Sequence, residues 1–140
     1  QEAVITGAAT YTISGQITKG YYTEEELAEQ HLEGMRFLPF SMLRQSCFDL
    51  IKGKKTPSSF RFVFLLSPEN QKKTIHSIDS SFNDTDVTGV YINLRYQNQL
   101  LSLTTGISYN IFSTDKALES QWDKLVMKFL TQHEIAFEDM

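Results

Sequence analysis

The chain has 140 residues and a net charge of −4, from 13 basic and 17 acidic side chains. That length bounds it to one domain, and 41% hydrophobic with 21% charged residues is the mix of a globular chain rather than a disordered one. The most strongly apolar run, Phe62 to Leu66, is far too short to cross a bilayer, and no basic segment leading into an apolar stretch marks a secretory signal.

Residues 3 to 22 read as a β-hairpin that begins within a few residues of Gln1, so a segment preceding it is expected to be missing. Thr and Tyr are dense there and Ser14-Gly15 is turn chemistry. A three-residue loop setting Ile13 against Ile17 matches apolar with apolar. Thr23-Glu24-Glu25-Glu26 is a capping box: the Thr oxygen accepts from the third helical N–H while Glu26 reaches back. The helix it starts is mostly polar and is predicted to run to about Glu33, closed by Gly34.

Phe40, Leu43, Cys47, Leu50 and Ile51 recur at three- and four-residue spacing, which predicts a helix with one apolar face. Cys47 on that face is expected to be a buried thiol. As the lone cysteine it has no intramolecular disulfide partner, which fits a reducing, cytoplasmic setting. Gly53 is expected to end this helix through the left-handed region, and Pro57 keeps it from resuming. From Phe60 the period changes to two, with Phe60, Phe62, Phe64 and Leu66 on one face and Arg61, Val63 and Leu65 on the other.

Ser67-Pro68-Glu69 starts a short helix, with Ser as N-cap and Pro at the first position. Asn83 to Asp86 is loop, and Thr88 to Tyr96 alternates with Val90, Ile92, Leu94 and Tyr96 on one face. Gln97-Asn98 turns the chain into Leu100–Thr105, and Thr105-Gly106 is expected to turn or bulge it into Ile107–Phe112. Ser113-Thr114-Asp115 starts the last helix, whose stripe is Leu118, Trp122, Leu125, Val126 and Phe129. From His133 onward the chain is a short acidic tail.

The order ββα–αβα–βββα predicts a single α+β domain over residues 1–140: a five- or six-stranded antiparallel sheet with helices packed mainly on one face. Phe62, Phe64, Leu50, Cys47, Trp122 and Phe129 are expected to share one core. Thr10, Thr12, Arg61, Asn93, Arg95, Ser102, Thr104, Ser108 and Asn110 make the open face.

The run Cys47 to Pro57, the following Ser59-Phe60-Arg61-Phe62-Val63-Phe64, the Leu103-Thr104-Thr105-Gly106 turn and Trp122-Asp123 with Lys128-Phe129-Leu130 together resemble an uncharacterised protein family of clostridial bacteria. The similarity covers nearly the whole chain. It implies a bacterial, cytoplasmic, single-domain protein of unknown function whose members carry an amphipathic segment ahead of the first hairpin. It carries over no catalytic residue.

Charge is concentrated between Arg44 and Arg61, where five basic residues (Arg44, Lys52, Lys54, Lys55 and Arg61) meet one acidic residue, Asp49. These five are the candidate binding residues, for a phosphorylated small molecule or an acidic protein surface. The acidic balance of the whole chain argues against duplex nucleic acid. The lysines follow a helix C-terminus, the wrong polarity for a phosphate loop. They also have a plain structural use there, complementing the helix dipole and keeping the loop in water. Phe60-Arg61-Phe62-Val63-Phe64 only partly echoes an RNA-recognition strand, because Arg61 stands where a small residue is required.

His31, His76 and His133 are far apart and share no metal-ligand spacing, and Asp84 and Asp86 lack the pattern of a calcium loop. No serine has nucleophile-elbow context. Nothing implies a cofactor, a metal or a catalytic residue. The reading is a small binding or adaptor domain with an anion or acidic-partner site at the basic loop. The alternative is a small enzyme with a pocket between helices and sheet, its residues not identifiable from sequence.

Overall fold

The computed structural model describes residues 1–53, 55–78, 82–113 and 115–139. Its frame is one five-stranded antiparallel sheet, formed by β1 (Glu2–Thr6), β2 (Thr10–Ser14), β3 (Ser59–Leu65), β4 (Val87–Gln97) and β5 (Leu100–Tyr109) in the order β2-β1-β3-β4-β5. The helices are α1 (Glu24–Glu29), α2 (Phe40–Ile51), α3 (Pro68–His76) and α4 (Ala117–Gln132). This is the α+β architecture the patterning predicts, with five strands rather than six. Among the described residues, no helix is long and apolar enough to cross a membrane.

Strand β3 is central and pairs on both edges. Ala3 is opposite Phe62 and Ile5 opposite Phe60 on one side; Phe62 is opposite Leu94 and Phe64 opposite Ile92 on the other. The two-residue period therefore gathers Ala3, Ile5, Phe60, Phe62, Phe64, Ile92 and Leu94 on one face. Helix α2 lies on that face: the Phe40 ring meets Phe62 and Phe64 edge-on, with centroids 6.2 and 5.1 Å away. Helix α4 lies on it too, packing Leu118, Trp122 and Val126 against Val90, Ile92, Leu103 and Ile107. The Trp122 indole N–H donates to the Tyr91 carbonyl at 3.0 Å, and Thr105 Oγ1 bonds the Asp123 carboxylate.

The core is in two parts, a correction to the single core expected. Ala3, Ile5, Cys47 and Phe62 form one cluster beneath α2, while Trp122 belongs to the other, with Ile75, Phe82, Val87 and Val90. Phe129 is 53% exposed and tilts against the His133 ring near the end of α4, and Leu125 is also exposed. The helical stripe on α4 is wider than the surface the sheet offers it.

Several boundaries differ from expectation. The first hairpin turns at Gly7-Ala8-Ala9, not Ser14-Gly15, because Ile13 finds Ala3 on β1 as its partner. Ile17 lies beyond the strand and donates its N–H to Arg36. Helix α1 keeps its capping box but stops at Glu29; His31 takes the left-handed conformation (φ 57°) and Leu32 turns into the interior. Helix α2 ends through extended Lys52 (φ −75°, ψ 145°), and Gly53 needs no positive φ. Gly106 neither turns nor breaks β5, since it pairs in register with Tyr91. The tight turn lies one residue past the expected Gln97-Asn98, at Asn98-Gln99, both at positive φ.

The two clusters separate two substitutions on aromatic side chains. Phe62→Ala should lower unfolding free energy by about 3–5 kcal/mol in denaturant titration, whereas Phe129→Ala should lower it by less than about 1 kcal/mol. Equal losses would contradict the exposure of Phe129 and the partition of the core.

Candidate functional site

The face of the sheet opposite the helices carries Glu2, Val4, Arg61, Val63, Asn93, Arg95, Ser102 and Thr104, as the register requires. Glu2, Arg61 and Arg95 are the only charged residues in the five strands, and all three lie on this face. Arg61 and Arg95 are direct cross-strand partners. The Leu66 N–H donates to the Val90 carbonyl at 3.0 Å, which places the even positions of β3 in hydrogen-bonded pairs with β4. Arg61 and Arg95 therefore occupy a non-hydrogen-bonded pair, the kind in which facing side chains stand closer.

Two permanent positive charges in that position repel each other. Among the described residues, neither arginine forms an ion pair; the four ion pairs there use Lys52, Lys73, His76 and Lys116. Glu2 stands diagonally from Arg61, beside Val63, without an ion pair to it. The Gln97 amide oxygen accepts from Arg95 and holds that guanidinium along the strand. The arginines line an open cleft of about 230 Å³ together with Val4, Thr6, Ser59 and Gln97, edged by Phe60 and Tyr96. This end of the sheet is tied down by Ser58, whose N–H and Oγ–H both donate to the Thr6 carbonyl.

The five candidate residues from the sequence do not form one patch. Arg44 belongs to α2, on the covered side of the sheet, with its guanidinium 5.4 Å from the Phe48 ring centroid. Arg61 projects from the opposite face. Lys52 pairs with Asp49 at 3.5 Å. Lys55 is exposed on the loop that leads into Ser59 at the cleft's end, and Lys54 lies outside the described residues. Arg95 was visible in the sequence as an open-face residue but not as the neighbour of Arg61. The chain passes through α3 and a loop between β3 and β4, so no short turn announces their register.

The other reactive side chains have structural surroundings. Cys47 is 1% exposed, and burial pushes its thiol above the ordinary value, as expected of a buried cysteine. Between α2 and the sheet, beside Cys47, there is about 20 Å³ of space, room for about one water. His76 caps its ring nitrogen with Asp84 at 2.6 Å, joining the end of α3 to the turn at residues 84–86. Among the described residues, no three His, Cys, Asp or Glu side chains come together in a metal-binding group.

Fold and cleft define a small α+β sheet domain, with α2 and α4 on one face and an arginine pair on the other. Its sequence matches a family model over residues 1–138, and the chain belongs to that family, DUF5721, a family of unknown function. Comparison with curated proteins finds no match, and comparison with solved structures finds none.

The arginine pair has a direct thermodynamic signature. Arg95→Gln removes a like-charge contact, so it should leave stability unchanged or raise it by about 0.2–1 kcal/mol at low ionic strength. The gain should shrink in about 1 M salt, where screening reaches only ~3 Å. Loss of more than about 1 kcal/mol on this substitution would mean that Arg95 is a structural anchor.

Proposed function

We propose that this chain is a binding module that takes up an anionic group on the open face of its sheet, between Arg61 and Arg95. The observation that carries the reading is the pairing itself: two arginines opposite each other, with no ion pair to a carboxylate among the described residues. Such an arrangement opposes folding unless an anion completes it. Local conflicts of this kind tend to sit where a protein meets its ligand. The cleft supports the reading with hydroxyl groups of Thr6 and Ser59 along its edge, and Lys55 adds positive charge at the same end. The basic loop thus contributes to the site from its margin rather than forming its centre.

The enzyme alternative calls for a pocket between helices and sheet, and the 20 Å³ space beside Cys47 offers no room for a substrate. An open face with exposed basic groups suits docking better than sequestered chemistry. We place this binding in a reducing compartment, where a free thiol such as Cys47 is stable.

The test is a thermal-unfolding series in sulfate against chloride at matched ionic strength. Sulfate stabilises folded chains generally by exclusion from their surface, so the informative quantity is the difference between the wild type and Arg61→Gln or Arg95→Gln. At sulfate concentrations about a hundredfold above its dissociation constant, the wild type should gain about 2.7 kcal/mol beyond either variant. Equal sulfate responses in all three proteins would remove the cleft as an anion site.

A further inference from the structure

Resting on that reading, we infer that the group taken by the cleft is the dianionic phosphoryl head of a small phosphate monoester. Arg61 and Arg95 together carry two positive charges, each on a planar fork of donors. A carboxylate brings one charge and two oxygens, enough to satisfy one fork. A phosphodiester also brings one charge. A monoester at neutral pH brings about −1.5 to −2 and three terminal oxygens, so it meets both forks by sharing one oxygen between them and keeps lone pairs for a hydroxyl donor. Ser59 lines the cleft beside Arg61 in the position to supply that donor, and Gln97 already holds the Arg95 guanidinium in place. The charge match is two against two.

Size and net charge limit what the phosphoryl group is attached to. The cleft, about 230 Å³, lies below the roughly 300–1,000 Å³ of sites that hold drug-sized ligands. Val4 offers an apolar wall for a few carbon atoms. A net charge of −4 opposes the approach of a polyanion. A small free molecule fits these limits better than a nucleic-acid backbone. The charged groups on this face of the sheet are Glu2 from β1, Arg61 from β3 and Arg95 from β4, and Lys55 is exposed on the loop before β3.

The experiment is calorimetric titration of the full chain with glycerol 3-phosphate, dimethyl phosphate and acetate. Glycerol 3-phosphate should bind about tenfold or more tightly than the other two near neutral pH, and Arg61→Gln or Arg95→Gln should abolish that advantage. The advantage should fade as pH drops from about 7.5 to about 5, because the monoester's second proton binds near pH 6. The same fading should persist in Glu2→Gln, which removes the one carboxylate that the strands place on this face; its disappearance there would overturn the inference. Equal binding of all three anions would overturn the dianion assignment while leaving the anion site standing. No binding of any, with the arginine variants indistinguishable from wild type, would fail the site itself. Vesicles containing phosphatidate and a phosphoserine peptide present the same phosphoryl group on other carriers. Binding of either about tenfold tighter than glycerol 3-phosphate would overturn the small-molecule assignment.

Discussion

Strand β3 is paired along both edges, to β1 and to β4, and its two-residue period decides what each face of the molecule becomes. Phe60, Phe62 and Phe64 take one face with α2 above it; Arg61 takes the other with no helix to cover it. A slip of one residue would exchange the two sets, placing a guanidinium beneath α2 and three phenyl rings in water. Burial of each such ring is worth roughly 1.5–3 kcal/mol, and an unpaired buried charge would add several more in penalty.

The two helices use that covered face unequally. Helix α2 seals the side nearest β1 and β3, with Cys47 at its centre, and α4 seals the side nearest β4 and β5 through Leu118, Trp122 and Val126. The open face carries threonine, serine and asparagine, with Glu2, Val4, Val63 and the arginine pair among them. Arg61 beside Arg95 is a place where the local arrangement works against the fold. Natural sequences are mostly consistent from level to level, so such a conflict is where function is sought first.

Much of the fold was legible because each signal acts over a few residues. The Thr23–Glu26 capping box and the Ser67-Pro68 helix start both form as read, and the alternation in β3 and β4 assigns their faces correctly. Long-range choices were less legible. Ser14-Gly15 has turn chemistry, yet the hairpin turns at residues 7–9 because Ala3 and Ile13 pack together on the covered face. Gly106 looks like a break, but in-register pairing with Tyr91 carries β5 straight through it. The binding site suffered most. Sequence proximity grouped Arg44 with Arg61, and the sheet separates them. Arg95 joins Arg61 from 34 positions further along the chain, through a register that α3 and its loops hide.

The face assignment of β3 and its pairing with β4 are open to one direct measurement. In a non-hydrogen-bonded antiparallel pair the two Cα atoms approach to about 4.5 Å and their Hα atoms point toward each other. A nuclear Overhauser spectrum of the chain should therefore show a strong Hα–Hα cross-peak between Arg61 and Arg95, with companions between Val63 and Asn93 and between Leu65 and Tyr91. Cross-peaks from Arg61 to Leu94 or Tyr96 in their place would mean a slipped register. That result would contradict both the arginine pair and the sheet faces built on it.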